Sequence, residues 1–354
     1  MRRKIDWSRV RRVLVVRLRS IGDTVLSTPS LIALKQFLPH AEIDILLEDW
    51  VAPLLAGSAD VDNILEVGQS VSSRLATARK IRKRQYDVVF NLHGGTTATF
   101  FTFASGARHR VGFQTYQYAF FHNHLIGSPD EYWKRAPVHS VEQQLALLGA
   151  VGIPVEEGLR TRLAVTPGAM TSLEDKIAAR TSLSRDALIP IALIHPAAAF
   201  ATKQWGIENF ARAADFLHDK GLTTIAIASA DEASVLEGVR ASAKYPIVTF
   251  DDLTLPEITA LASRSALFLG NDSGIAHIAA ATGTPSVVVF GSSNRDHWRP
   301  WTDAPNEIVY EEFPCQPCPG HECKEFGEPR CTLGVPPERV FEAIERVREG
   351  VPSV

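Results

Sequence analysis

The sequence is poor in cysteine and contains no long apolar run. Only four of its 354 residues are cysteine, which excludes the dense disulfide framework of small secreted domains. No stretch approaches the roughly 20 apolar residues that a transmembrane helix needs, and no apolar signal-peptide core follows the basic start of the chain. The composition, 45% hydrophobic and 22% charged, is that of a globular protein. These features predict a protein that stays in the cytoplasm.

Two phosphate-binding signatures are also missing. The chain has no G-x-G-x-x-G after its first predicted strand and no G-x-x-x-x-G-K-[ST] anywhere. These absences count against a dinucleotide-dependent dehydrogenase and against a P-loop phosphotransferase.

Charge is divided unevenly along the chain. Residues 1–165 carry 21 Lys and Arg against 15 Asp and Glu, a net of +6, and the rest carries 16 against 25, a net of −9. Basic residues concentrate at 2–12 and 79–84, which suits a phosphorylated lipid head group or a membrane surface. A solvated helix face explains the second cluster equally. Nucleic acid is not expected, because aromatic residues do not interleave with the basic runs and the isoelectric point is below neutral.

Both halves of the chain alternate short apolar strands with helices. The first half has predicted strands at 12–17, 42–47 and 87–91 and helices at 24–38 and 141–151. The second half has predicted strands at 189–194, 223–228, 266–270 and 286–290 and helices at 207–220 and 338–348.

This alternation, over a length that suggests two domains, predicts an α/β protein. We expect two Rossmann-like, doubly wound parallel sheets that face each other across a cleft. The expected domains are an N-terminal acceptor-side domain over 1–168 and a C-terminal nucleotide-sugar domain over 169–335. A C-terminal helix over 336–354 could pack back on the first domain.

The most informative segment runs from residue 270 to 291, GNDSGIAHIAAATGTPSVVVFG. It predicts a strand, a tight turn, a helix with Asp272 or Ser273 as its N-cap, and another strand. The first amides of that helix and its dipole would bind a diphosphate. Gly274 would let the ligand approach the backbone, and His277 lies on the same helix face as Ser273. A simple capped helix with a core histidine fits the spacing as well.

Two further segments follow predicted strands. R-L-R-S-I-G-D ends at Asp23, which is either a helix cap or a general base for an acceptor hydroxyl. H-P-A-A-A-F-A-T-K-Q-W contains Lys203, which could neutralise a leaving diphosphate or be solvated. Trp205, at the end of this loop, could pack beneath it.

Together these segments resemble glycosyltransferase family 9, the heptosyltransferases of lipopolysaccharide core assembly. The resemblance is strongest up to Asp23, at T-K-Q-W (202–205) and over 270–291. It implies the GT-B fold and an inverting transfer of a heptose or related sugar from an ADP-sugar donor. The acceptor would be a phosphorylated, lipid-linked saccharide, reached by peripheral contact with the inner membrane. No metal and no other cofactor is implied.

The resemblance also implies roles for individual residues. It makes Asp23 the catalytic base. The donor-binding residues would be Lys203, Asp272, Ser273, Gly274 and His277, with Glu232 near the nucleoside. The chain departs from the family pattern at Ala197-Ala-Ala199, where family members often carry Gly, Ser or Thr. Hydroxyl contacts are missing there, so the resemblance determines the donor sugar less firmly than the reaction type.

Two other functions fit the same scaffold. A nucleotide-sugar epimerase or hydrolase would consume the donor without an acceptor. A non-catalytic binding protein would hold a sugar nucleotide without needing Asp23. Fold alone does not decide between them.

All four cysteines lie in one C-x2-C-x4-C-x7-C segment over 315–331, with His321 inside it. Such clustering in a reducing compartment fits a structural zinc site. The spacing is not that of a standard zinc finger, so free thiols or labile disulfides remain the alternative.

Overall fold

The computed structural model describes residues 4–156, 158–180, 190–318 and 320–350. They divide into two compact units, one ending at Ala164 and the other beginning at Val165, close to the boundary expected after residue 168. Residues 2–3, 189 and 351–354, to which the sequence analysis gave charge or structure, lie outside the described ranges.

The first unit contains a parallel sheet of six strands in the order β3-β2-β1-β4-β5-β6. Its strands are β1 (Arg12–Leu18), β2 (Glu42–Glu48), β3 (Asn63–Val67), β4 (Val88–Asn91), β5 (His109–Phe113) and β6 (His124–Ile126). Its helices are α1 (Ile21–Val25), α2 (Thr28–Phe37), α3 (Val71–Arg84), α4 (Gly95–Ala104), α5 (Pro129–Trp133) and α6 (Ser140–Gly149).

The helix predicted over 24–38 is two helices, α1 and α2. Pro29, in the first turn of α2, has no N–H to give to the carbonyl of Val25. The hydroxyls of Ser27 and Thr28 donate instead to the carbonyls of Thr24 and Val25 (2.7 and 2.8 Å). The break therefore satisfies its own backbone groups, and α1 stays a short helix directly after β1.

The second unit repeats this plan with the strand order β12-β11-β10-β7-β8-β9, again all parallel. Its strands are β7 (Ile191–His195), β8 (Thr223–Ile227), β9 (Val248–Phe250), β10 (Ser265–Asn271), β11 (Ser286–Phe290) and β12 (Asn306–Tyr310). Its helices are α7 (Pro167–Arg180), α8 (Ile207–Asp219), α9 (Ala233–Ser242), α10 (Leu255–Arg264), α11 (Gly274–Ala281), α12 (Arg295–Trp298), α13 (Arg330–Leu333) and α14 (Pro337–Glu349).

The prediction of two doubly wound parallel sheets is confirmed. In each sheet the first and fourth strands are neighbours, so the chain reverses its winding direction between them. Ligands of open α/β sheets bind at the carboxyl ends of the strands beside such a reversal. The loops after β1 and β4, and after β7 and β10, are therefore where a site is expected.

The last helix, α14, belongs to the second unit. It packs on β11, β12 and α8, and Val340, Ile344 and Val347 bury their side chains in the core of that unit. Within the described ranges, no helix combines the length and the apolar character that crossing a membrane requires.

Candidate active site

One buried amide fixes the loop between β7 and α8. Asn271, the last residue of β10, is fully buried. Its side-chain oxygen accepts from the N–H of Trp205 (3.0 Å), and its side-chain nitrogen donates to the carbonyl of Pro196 (2.8 Å). Trp205 is also fully buried and donates its ring N–H to the carbonyl of Val335 (2.8 Å). Both ends of the loop are thus tied to the carboxyl end of β10.

This loop carries Lys203 to Asp272. The ammonium Nζ lies 2.8 Å from Oδ2 of Asp272, and the two side chains are 23% and 5% exposed. The Lys203 ammonium also lies 5.8 Å from the ring centre of Phe200. A buried carboxylate needs such a partner because an uncompensated charge away from water is costly. Lys203 is therefore held in place and is not a freely solvated side chain.

The first turn of α11 is open to a ligand. Ser273 is the N-cap residue, as the sequence allowed, but its side chain makes no capping hydrogen bond. Its hydroxyl lies instead 3.1 Å from Nδ1 of His195, the last residue of β7. The Asp272 side chain is engaged by Lys203. The amides at the start of α11 and the positive end of its dipole are thus left for an anion.

His195 is the residue of this site that the sequence analysis missed. Burial lowers its pKa to about 4, and the nearby Glu232 carboxylate opposes this only in part. The imidazole is therefore neutral at pH 7. Glu232 itself closes a turn, since its carboxylate accepts from the N–H and hydroxyl of Ser229 (3.2 and 2.7 Å). The predicted residues therefore meet in two contacts: Lys203 pairs with Asp272, and Ser273 contacts His195. Glu232 acts on His195 only through its charge.

The other two predicted donor residues lie on α11. Gly274 is its first residue, and His277 is buried one turn later. A cavity of about 350 Å³ adjoins Lys203 on the side of the loop after β11. Its walls are formed by Phe200, Lys203, Ser292, Ser293, Asn294, Trp298, Pro317, Cys318 and Gly320.

In the first unit, Asp23 lies on α1 directly after β1. It is not the N-cap, which is Ser20, but occupies the third helical position. Its carboxylate accepts from the N–H and hydroxyl of Ser20 (3.4 and 3.1 Å) and forms an ion pair with Arg17. The side chain remains 25% exposed. Because a carboxylate offers about four acceptor positions, it can accept a further hydrogen bond.

Arg17 and His93 complete the surroundings of Asp23. Arg17 is buried at the end of β1 and donates to the carbonyl of Leu92. Burial lowers the pKa of His93, the Arg17 guanidinium acts in the same direction, and the Asp23 carboxylate opposes both. The three side chains thus form one electrostatic group. The loops after β1 and β4 meet there.

The turn after β4, like the turn after β10, follows a buried asparagine, but this asparagine bonds the amides of its own turn. Asn91 ends β4, is fully buried, and accepts from the N–H groups of His93 and Gly94 (3.2 and 2.9 Å). Its side-chain nitrogen donates to Nε2 of His122 (3.2 Å). Asn91 and Asn271 thus occupy equivalent places, at the end of the fourth strand of each sheet.

The four cysteines are free thiols. Burial raises the pKa of the Cys331 thiol, the Thr332 hydroxyl opposes this, and the other three cysteines add to the rise. Over the described part of the chain, no group of three or more His, Cys, Asp or Glu side chains is arranged to hold a metal ion.

Residues 74–327 match the family described as glycosyltransferase family 9 (heptosyltransferase). The lipopolysaccharide heptosyltransferase 3 of Escherichia coli (strain K12) is 29% identical over 307 residues, which cover 81% of this chain and 84% of that protein.

Two solved structures have the same fold. The E. coli ADP-heptose lipopolysaccharide heptosyltransferase II superposes with a TM-score of 0.79 at 21% identity, covering 96% of this chain and 98% of the other. A family 9 glycosyltransferase from Veillonella parvula superposes with a TM-score of 0.83 at 20% identity, covering 99% of both chains. At these identities the likeness establishes the fold.

Proposed function

This chain belongs to glycosyltransferase family 9, and from that premise we propose that it transfers a heptose from ADP-heptose to a lipopolysaccharide core saccharide. The family match and the curated relative support both the reaction and the sugar. The structural observation that supports it most is the Lys203 ammonium, held beside the first turn of α11, where the side chain of the N-cap residue Ser273 makes no capping hydrogen bond.

The donor half of the proposal uses the second unit. The first amides of α11 and the Ser273 hydroxyl would bind the diphosphate, with Gly274 allowing close approach. Lys203 would face the negative charge that grows on the departing ADP, and preorganised charges of this kind are a main source of catalysis. Asp272 would act by fixing Lys203, and His277 would support the same helix turn. Glu232, at the turn after β8, would lie near the nucleoside.

The acceptor half uses Asp23. Its carboxylate would take the proton from the acceptor hydroxyl as the oxygen attacks the anomeric carbon. The new glycosidic bond forms as the bond to the diphosphate breaks, which inverts the configuration at that carbon. Arg17 and Ser20 would hold the carboxylate in one orientation, so that little rearrangement precedes the transfer.

The location follows from the substrates. A nucleotide-sugar donor and an anionic, lipid-linked acceptor meet at the cytoplasmic face of the inner membrane. We therefore propose a cytoplasmic protein that contacts this face peripherally.

The test is product analysis by mass spectrometry. Purified protein is incubated with ADP-heptose, or with other nucleotide sugars, together with a membrane glycolipid extract. The proposal expects one added heptose on the glycolipid and release of ADP. Asp23→Asn should abolish the product while ADP binding persists.

The same assay separates the alternatives. Donor consumed without an acceptor would indicate an epimerase or a hydrolase. Donor bound without turnover, with no effect of Asp23→Asn, would indicate a binding protein. Transfer of another sugar in place of heptose would keep the enzyme class and refute the donor.

A further inference from the structure

A groove on the first unit is lined by none of the candidate site residues described above. It runs between α3 and α4 and has a volume of about 810 Å³. Apolar and cationic side chains line it together, without a carboxylate: Leu75, Ala78, Arg79, Arg82, Lys83, Phe103, Ala104, Gly106 and Arg110. We call this groove and its rim the α3–α4 face.

Most cations of α3 form no ion pair among the described residues. The helix carries six Lys and Arg and no Asp or Glu, VSSRLATARKIRKR. Arg84 pairs with Glu42 and Asp44. Across the described residues, no ion pair joins Arg79, Lys80 or Lys83 to a carboxylate. Like charges three and four residues apart weaken a helix, and only the cations of the last turn gain from the helix dipole.

The rim of the face is aromatic. Phe103, on α4, is 53% exposed, and its ring centre lies 4.6 Å from that of Phe121. Phe120 is 74% exposed and lies 4.5 Å from the same ring. Among the described residues of this unit, the exposed large apolar side chains other than Trp50 all belong to α3, α4 or the 118–120 turn: Val71, Leu75, Phe100, Phe103, Tyr118 and Phe120. Exposed apolar side chains concentrated on a few neighbouring elements mark an interaction surface.

The combination of unpaired cations with exposed aromatic and aliphatic side chains matches an anionic bilayer. Lys and Arg near such a surface are attracted by its negative potential, and aromatic rings are favoured at the level of the head groups. A single-stranded nucleic acid would also be attracted by cations and rings. Leu75 and Val71 offer no stacking surface to bases, whereas lipid chains accept them.

We propose that the α3–α4 face docks this protein on an anionic lipid bilayer. The inference deepens the proposed function, since it rests on a lipid-linked acceptor and names the surface that reaches the lipid. The basic end of α3 leads directly into the start of β4, while Asp23 follows the carboxyl end of the parallel strand β1. About four or five residues of strand, roughly 15 Å, separate these two edges of the sheet. Docking would leave the Asp23 edge free for a saccharide that projects from the bilayer.

Vesicle sedimentation with the full chain tests this. The vesicles are either phosphatidylcholine alone or phosphatidylcholine with phosphatidylglycerol in equal parts, each at low and at high salt. The unmodified protein should bind the anionic vesicles at least ten-fold more tightly, and salt should weaken that binding. Arg79→Gln, Lys80→Gln and Lys83→Gln together should weaken it roughly 100-fold. The double variant Phe103→Ser with Phe120→Ser should weaken the vesicle binding that remains at high salt.

The matched control removes three exposed cations of the second unit, as Arg240→Gln, Lys244→Gln and Lys324→Gln. This control changes the net charge by the same amount as the triple variant of α3 and should still bind the vesicles. Circular dichroism should show that all variants are folded. Loss of binding in the control, no preference for anionic vesicles, or tighter binding of a single-stranded oligonucleotide to the same face would overturn the proposal. Heptose transfer to a detergent-solubilised acceptor should be equal in all variants. If the protein transfers heptose but does not bind anionic vesicles, only this inference is refuted. If it binds the vesicles but transfers no heptose, only the proposed function is refuted.

Discussion

The ammonium of Lys203 lies 2.8 Å from the buried carboxylate of Asp272, although one residue belongs to the loop after β7 and the other follows β10. The pair exists because β7 and β10 are neighbours in the sheet and because Asn271 ties both ends of the β7 loop to β10. The carboxylate neutralises and aims the cation, while the adjacent amides of α11 remain open. In the proposed reaction, this pair prepares the place where the diphosphate charge arrives.

Lys203→Met should weaken ADP binding by about 10- to 100-fold, or roughly 1.4–2.7 kcal/mol, because a charge-assisted contact is lost. It also leaves Asp272 buried without its cation, so the free energy of unfolding should fall. The double variant Lys203→Met with Asp272→Asn removes the orphaned charge. It should recover stability without recovering ADP affinity. Calorimetric titration with ADP and chemical denaturation measure the two effects.

Arg17 should act as a positioning residue for Asp23. Arg17→Met removes the ion pair, so we expect kcat to fall about 10- to 100-fold with little change in ADP affinity, because the base is no longer fixed. Arg17→Lys restores a charge without the guanidinium fork and should recover part of kcat. The readout is steady-state kinetics, with ADP titration as the control. Equal losses of kcat and ADP affinity, tracking a lower melting temperature, would assign Arg17 to folding alone.

His195 should make the protein sensitive to mild acid. Burial lowers its folded-state pKa from the ordinary 6.5 to about 4, so the unfolded chain binds a proton in a window where the folded chain does not. Above pH 6.5 His195 contributes nothing to the pH dependence of the free energy of unfolding. As the pH falls from 6.5 to 4, it lowers the free energy of unfolding by up to roughly 3 kcal/mol. His195→Asn should remove that part of the slope, measured by urea unfolding at stepped pH. An unchanged slope between pH 6.5 and 4 would contradict it.

The sequence predicted most of the strands because their signal is local. The nearly continuous apolar runs at 191–195 and 286–290 are typical of strands in a parallel sheet that is buried on both faces. The break between α1 and α2 was missed because hydrophobic spacing continues across it, while Pro29 decides the backbone. A proline inside an apolar helical pattern was the signal that could have shown it.

The sequence indicated which residues belong to the candidate site more readily than which of them contact each other. Lys203 and Asp272 were both singled out, but their pairing depends on which strands become neighbours, and residue spacing does not contain that order. Arg17 and His195 lie in sequence segments that were singled out, but the sequence analysis assigned no role to either residue. Both are polar residues at or next to the carboxyl end of a strand whose interior is apolar, and only Leu18 follows Arg17 in β1. That position was the available signal.

Glu257 should hold α7 against α10. Burial alone would raise its pKa, but hydrogen bonds from Ser172 (2.6 Å), from the Thr254 N–H (2.6 Å) and from Lys176 (3.0 Å) outweigh burial and bring the pKa to about 2. Since the folded-state pKa lies below the ordinary 4.5, the stabilisation is complete above pH 4.5 and is lost as the pH falls toward 2. Glu257→Gln should therefore lower the free energy of unfolding by about 1–3 kcal/mol at pH 7. The difference from the unmodified protein should shrink below pH 4.5, a lower window than that of His195.

As a control, Glu237→Gln changes an exposed glutamate for which no ion pair is found among the described residues, and it should leave stability unchanged. A Glu257→Gln difference that persists undiminished at pH 3 would show that shape, and not charge, connects the two helices.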